Sequence, residues 1–143
     1  MTGTNAVNYA EHGADIVGAL QAVENVLGKR GIEVGVRHLI KLRASQINKC
    51  AYCVMLHARE ARKDGETDKR LDHLIVWRHV NDFTAPEKAA FAWTEALTDL
   101  NDGTDLAALR AELKIHYTDS DISTLTAMVA MINLWNRIQI SRH

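Results

Sequence analysis

Only one proline, Pro86, and eight glycines interrupt 143 residues. A chain with so few breakers and an alanine- and leucine-rich apolar fraction is constrained towards long helices. Apolar residues also recur at the helical spacing of three and four, and no stretch alternates as a strand would. The chain is therefore expected to be all-α, with about six to seven helices in a single domain spanning residues 1–143. That length buries a core without covalent staples.

The helices can be bounded from local signals. A first helix is expected over 9–27, with Ile16, Val17, Leu20, Val23, Val26 and Leu27 inward and Gly28 or Gly31 as its stop. A second covers about 36–46, with Leu39, Ile40 and Leu42 buried and Arg37, Lys41 and Arg43 on the wet side. Asn48-Lys49 reads as a short turn. A third helix, 50–63, ends at Gly65, with Val54, Leu56 and Met55 in the core. A fourth, 68–78, turns Leu71, Leu74, Ile75 and Trp77 inward. Thr84-Ala85-Pro86-Glu87 has the composition of a capped helix start. That fifth helix runs to about 100, and a sixth covers 105–116. Thr118-Asp119-Ser120-Asp121 caps the last helix, which reaches about 140 and is apolar around much of its circumference. Such a helix belongs at the centre of the fold or at an oligomer interface.

Charge excludes some functions. Seventeen basic and 18 acidic residues give a net charge of −1. There is no basic excess to hold nucleic acid and no single-signed block to hold a membrane surface. No apolar run approaches a membrane span. Met1-Thr2-Gly3-Thr4-Asn5 lacks the basic and apolar regions of a signal peptide, so a cytoplasmic location is expected.

The chemistry concentrates in Cys50-Ala51-Tyr52-Cys53-Val54-Met55-Leu56-His57, which holds both cysteines. On a helix, positions 50, 53 and 57 fall within roughly 60° of one another. Cys53 and His57 form an i,i+4 pair whose side chains can touch. A thiol attacks as its thiolate, and two features favour ionisation here. The helix N-terminus favours Cys50, whereas His57 as proton acceptor favours Cys53. The histidine spacing tips the assignment towards Cys53 as the attacking thiol and Cys50 as the resolving thiol. In a reducing compartment a lone Cys-x-x-Cys reads as catalytic or metal-binding. Tyr52 could lend a hydroxyl, although packing is its commoner role. Ser45, Gln46 and Asn48 read as packing and turn residues, Trp93, Trp135 and Asn136 as core or subunit packing, and His12, His73, His79, His116 and His143 as surface residues.

The run Leu42 to Ala61, with Ala61-Arg62-Lys63-Asp64-Gly65-Glu66, Phe91-Ala92-Trp93-Thr94-Glu95 and Ile132-Asn133-Leu134-Trp135-Asn136-Arg137, resembles the alkylhydroperoxidase D-like branch of the carboxymuconolactone decarboxylase superfamily. The resemblance extends from about residue 30 to 138. It implies an all-helical fold assembled as trimers or hexamers, and a thiol-dependent peroxidase needing no bound cofactor or metal. It implies that Cys53 attacks a hydroperoxide, that Cys50 closes a disulfide, that His57 moves protons, and that an external dithiol system reopens the disulfide. The decarboxylases of the superfamily lack this cysteine pair. One position departs from the pattern: twelve residues before the first cysteine the family has a glutamate of the proton relay, and this chain has His38. Histidine also moves protons near neutrality, so His38 is a candidate relay member. The change also creates a set of His38, Cys50, Cys53 and His57 that suits tetrahedral zinc. Two rivals to the peroxidase follow: a metal-binding or non-enzymatic helical oligomer, and a general disulfide oxidoreductase.

Overall fold

In a computed structural model, residues 5–143 are described, so all but Asn5 of the N-terminal segment weighed above lies outside the described residues. The elements run α1 (Tyr9–His12), α2 (Ala14–Gly28), α3 (Val34–Ile47), α4 (Ala51–Lys63), α5 (Asp68–His73), a 3₁₀ turn (Leu74–His79), α6 (Ala85–Thr98), α7 (Leu106–His116) and α8 (Asp119–Ile140). The described residues contain no strand, and no helix among them is long and apolar enough to cross a membrane.

The described residues hold eight α-helices, one more than the longest expected set, because the first expected helix is split, while the fourth is only shortened. Gly13 has φ −128° and ψ 33°, which detaches the one-turn α1 from α2. The fourth expected helix passes into a 3₁₀ turn with non-helical angles at Val76. That kink leaves Leu74 and Trp77 buried but puts Ile75 61% exposed, contrary to its expected inward position. Met55 is likewise exposed rather than in the core. α2 buries Leu27 and half-buries Leu20, while Ile16, Val23 and Val26 stand in solvent.

The expected caps form. Thr84 and Glu87 make a reciprocal capping box at α6, and Thr118 and Asp121 make another at α8. Gly65 adopts φ +97° just beyond α4, a conformation that costs a residue with a Cβ.

α3 lies at the centre, packed on α4, α6 and α8. Leu39 and Ile40 on α3, Phe91 on α6, Leu113 on α7, and Leu125 and Val129 on α8 form the closed core. Glu95 locks α3 to α6 and to the 3₁₀ turn. Its carboxylate accepts from Arg43 Nε and Trp77 Nε1 at 2.8 Å and from Arg78 Nη1 at 2.5 Å. Burial opposes its ionisation, but these donors together hold its pKa below the ordinary value. Arg43 is thus half-buried rather than on the wet side.

Candidate functional site

The turn between α3 and α4 sets the site. Three backbone bonds close it: Asn48 N–H to Ala44 O, Lys49 N–H to Gln46 O and Cys50 N–H to Ser45 O. The last two form a Schellman ending, which requires a left-handed residue between them. That residue is Lys49, with φ 59°, where glycine is the commoner choice. Buried polar side chains pin the turn to α8. Asn136 Nδ2 donates to Ser45 Oγ, and Asn48 Nδ2 donates to Asn136 Oδ1 and to Asn133 Oδ1, each at 2.9 Å. Ser45 and Asn136 are fully buried, so each lost bond would strand a polar group. The turn and packing roles expected of Asn48, Ser45 and Asn136 are the observed ones.

Cys50 emerges from this turn as the N-cap of α4. Its sulfur accepts a weak bond from Cys53 N–H at 3.4 Å and is joined to Cys53 in a disulfide. Cys50 is completely buried. Cys53, in the first turn of α4, lines a cleft of about 330 Å³. His57, one turn on, lines the same cleft. α3 contributes Lys41, α2 contributes Glu24, and α8 contributes Ile132 and Trp135. Tyr52 and Leu56 complete much of the apolar lining.

His57 is 8% exposed, and its Nδ1 has no hydrogen-bond partner among the described residues. The nearest carboxylate, Glu60 Oε2, stands 3.6 Å away. Burial, followed by the charges of Lys41 and His38, lowers the His57 pKa to about 4. The imidazole is therefore neutral at pH 7 and a weaker base than an exposed histidine, with Nδ1 left open.

His38 is placed differently. Its Nε2 bonds Asp64 Oδ2 at 2.6 Å. It lines a second cleft of about 290 Å³, bordered by Glu33, Asp64, Glu66, Arg70 and Glu87. Its charge reaches His57, but the side chain borders other space. Consistent with that separation, no three His, Cys, Asp or Glu side chains among the described residues are placed to hold a metal. In the disulfide form His38 of the suggested zinc set lines the other cleft, apart from Cys53 and His57.

Two cleft residues carried no local signal. Glu24 accepts from Trp135 Nε1–H at 2.9 Å and lies 3.8 Å from Lys41 Nζ. Lys41 is three-quarters buried rather than on the wet side. His73, expected at the surface without a partner, instead bonds Asp82.

Comparisons with known proteins agree with the all-helical fold. The carboxymuconolactone decarboxylase family profile matches residues 14–96. The uncharacterized protein YdfG of Bacillus subtilis is 32% identical over 135 residues, covering 94% of this chain and 92% of that one. A crystal structure from Agrobacterium tumefaciens, of a protein of unknown function put forward as an antioxidant defence protein AhpD, superposes with a TM-score of 0.91 at 34% identity. The match covers 97% of this chain and 95% of that one. An uncharacterized peroxidase-related protein with an alkylhydroperoxidase AhpD core, from Ralstonia eutropha, has a TM-score of 0.77 at 25% identity, over 90% of this chain and 68% of that one. The chain belongs to the carboxymuconolactone decarboxylase family, in its alkylhydroperoxidase D-like branch.

Proposed function

We propose that the protein is a thiol peroxidase that reduces hydroperoxides through the Cys50/Cys53 pair. The observation carrying this is the asymmetry of the pair. Both are buried, but Cys53, 3% exposed, lines a cleft beside an imidazole whose Nδ1 is unpartnered, whereas Cys50 is fully buried and is not part of that lining. An attacking thiol needs access to substrate and a proton acceptor, and a resolving thiol needs only its partner.

In the reduced protein His57 takes the Cys53 proton. The thiolate attacks one peroxide oxygen and breaks the O–O bond. The other oxygen leaves as an alkoxide, takes a proton and departs as alcohol, or as water when the substrate is hydrogen peroxide. Cys53 is left as a sulfenic acid. The Cys50 thiol then attacks the Cys53 sulfur, forming the disulfide and releasing water. An external dithiol restores both thiols and is itself oxidised to a disulfide. His38, bonded to Asp64 in the neighbouring cleft, acts as a positioning residue.

The cycle needs no bound cofactor and suits a reducing cytoplasm. The exposed Ile16, Val23 and Val26 of α2 fit a subunit contact, in keeping with a trimer or hexamer. A general disulfide oxidoreductase would exchange thiols without responding to peroxide.

The test is direct. Trypsin releases Cys50 to Arg59 as one peptide. One equivalent of an organic hydroperoxide added to reduced protein should make that peptide lighter by two hydrogens. Cys53→Ser should abolish all peroxide-dependent oxidation, and retained oxidation would overturn the assignment.

A further inference from the structure

The attacking thiolate needs a stabilising charge, and the cleft offers few. His57 is neutral at rest. His38 is engaged by Asp64. Glu24 from α2 and Glu60 from α4 are acidic and would oppose ionisation of a neighbouring thiol. α8 supplies only the uncharged Ile132, Trp135 and Gln139. Lys41 of α3 is the one lysine or arginine lining this cleft.

Its placement is constrained. Lys41 and Glu24 side chains are 24% and 19% exposed, so their charges act through a medium of reduced dielectric. Glu24 is turned towards Trp135, whose indole holds Oε1 at 2.9 Å. The other oxygen stands 3.8 Å from Lys41 Nζ, too far for a hydrogen bond, so the ammonium is tethered but keeps its donors free. Lys41 lines the same cleft as Cys53 and His57.

We propose that Lys41, tethered by Glu24, is the positioning cation that stabilises the Cys53 thiolate. The inference rests on Cys53 being the reacting thiol.

The test is the pH dependence of Cys53 alkylation by iodoacetamide in a reduced Cys50→Ser protein, followed by mass spectrometry of the peptide. Adding Lys41→Met should raise the midpoint by about one pH unit, the size of shift expected from losing one nearby opposite charge. Lys41→Arg should keep the parent midpoint, and Lys41→Glu should raise it beyond the methionine variant. Should Lys41→Met lose its helical circular dichroism, Lys41→Gln carries the same test. Midpoints independent of the charge at 41 would overturn the proposal. A midpoint that follows that charge, in a protein whose Cys50–Arg59 peptide is unchanged by hydroperoxide, would keep Lys41 and overturn the peroxidase. Peroxide-driven oxidation with an invariant midpoint would do the reverse.

Discussion

Two clefts border α3 and α4, and each takes one of the two histidines of the motif region. His57 is buried beside Cys53 with Nδ1 unpartnered, in a cleft with a largely apolar lining. His38 sits among acidic and basic side chains and is bonded to the half-exposed Asp64. Two histidines flanking one cysteine motif thus sit in opposite environments. An imidazole with an open nitrogen can trade a proton with a neighbour, whereas one held by a carboxylate is already engaged. The difference separates a proton-transfer residue from a positioning one.

The largest expected effect lies in rate. His57→Ala should slow peroxide-driven disulfide formation by about 10²–10⁴-fold, the usual weight of a placed general acid or base. His38→Ala should slow it less than about tenfold. Rapid-quench alkylation of remaining thiols measures both, and equal losses would break the distinction between the clefts.

Next in size is the pH dependence of stability. His57 has a folded pKa of about 4 against 6.5 when unfolded, so the unfolded chain binds the proton first as pH falls. Stability from the neutral buried ring is fully present above about pH 6.5. It is lost progressively towards pH 4, by up to about 3 kcal/mol at about 1.4 kcal/mol per pKa unit. Asp82 and Glu95 have lowered pKa values and titrate below the ordinary carboxylate range, leaving the upper part of this window to His57. Urea melts of oxidised protein at pH 7 and pH 4.5 should show the drop, and His57→Asn should flatten it.

These contrasts mark what was legible in the chain. Signals acting within one turn of helix match the structure: the Thr84–Glu87 capping box, the cap at Thr118 and the helix stop at Gly65. The Asn48-Lys49 turn was legible too, but its left-handed lysine was not, because glycine usually marks that position. Periodicity locates an apolar stripe without giving its buried width. Hence Ile16, Val23, Ile75 and Met55 were placed inside and stand outside. Glu24 was invisible because its partner Trp135 lies 111 residues away, and nothing local marks a helix that folds back over the site. Lys41 and Arg43 looked like surface cations for the same reason, since their acidic partners come from other helices.

Asn136→Ala tests how firmly α8 holds the turn that delivers Cys50. It removes the amide that donates to the buried Ser45 Oγ and the oxygen that accepts from Asn48 Nδ2, so a loss of about 1–3 kcal/mol is expected. Thermal unfolding measures it, and a loss below about 0.5 kcal/mol would mean that water replaces the amide. The same variant should leave the His38 cleft untouched, because none of the bonded residues Ser45, Asn48, Thr98, Asn133 and Asn136 lines it.

The smallest effect is assigned to Asp64→Asn. The His38–Asp64 pair is short at 2.6 Å, yet Asp64 is 47% exposed, and solvent screens such a pair to within about 1 kcal/mol. The amide keeps a hydrogen-bonding group in place and removes only the charge. Stability should therefore change by less than about 1 kcal/mol, and peroxide-driven oxidation by no more than a few-fold. This is also the variant with most power against the contrast between the clefts. If removing one half-exposed charge from the His38 side cost as much rate as His57→Ala, the two histidines would act as one relay through α3 and α4. The carboxylate of that relay would then be Asp64, supplied from the end of the cysteine helix in place of the family glutamate.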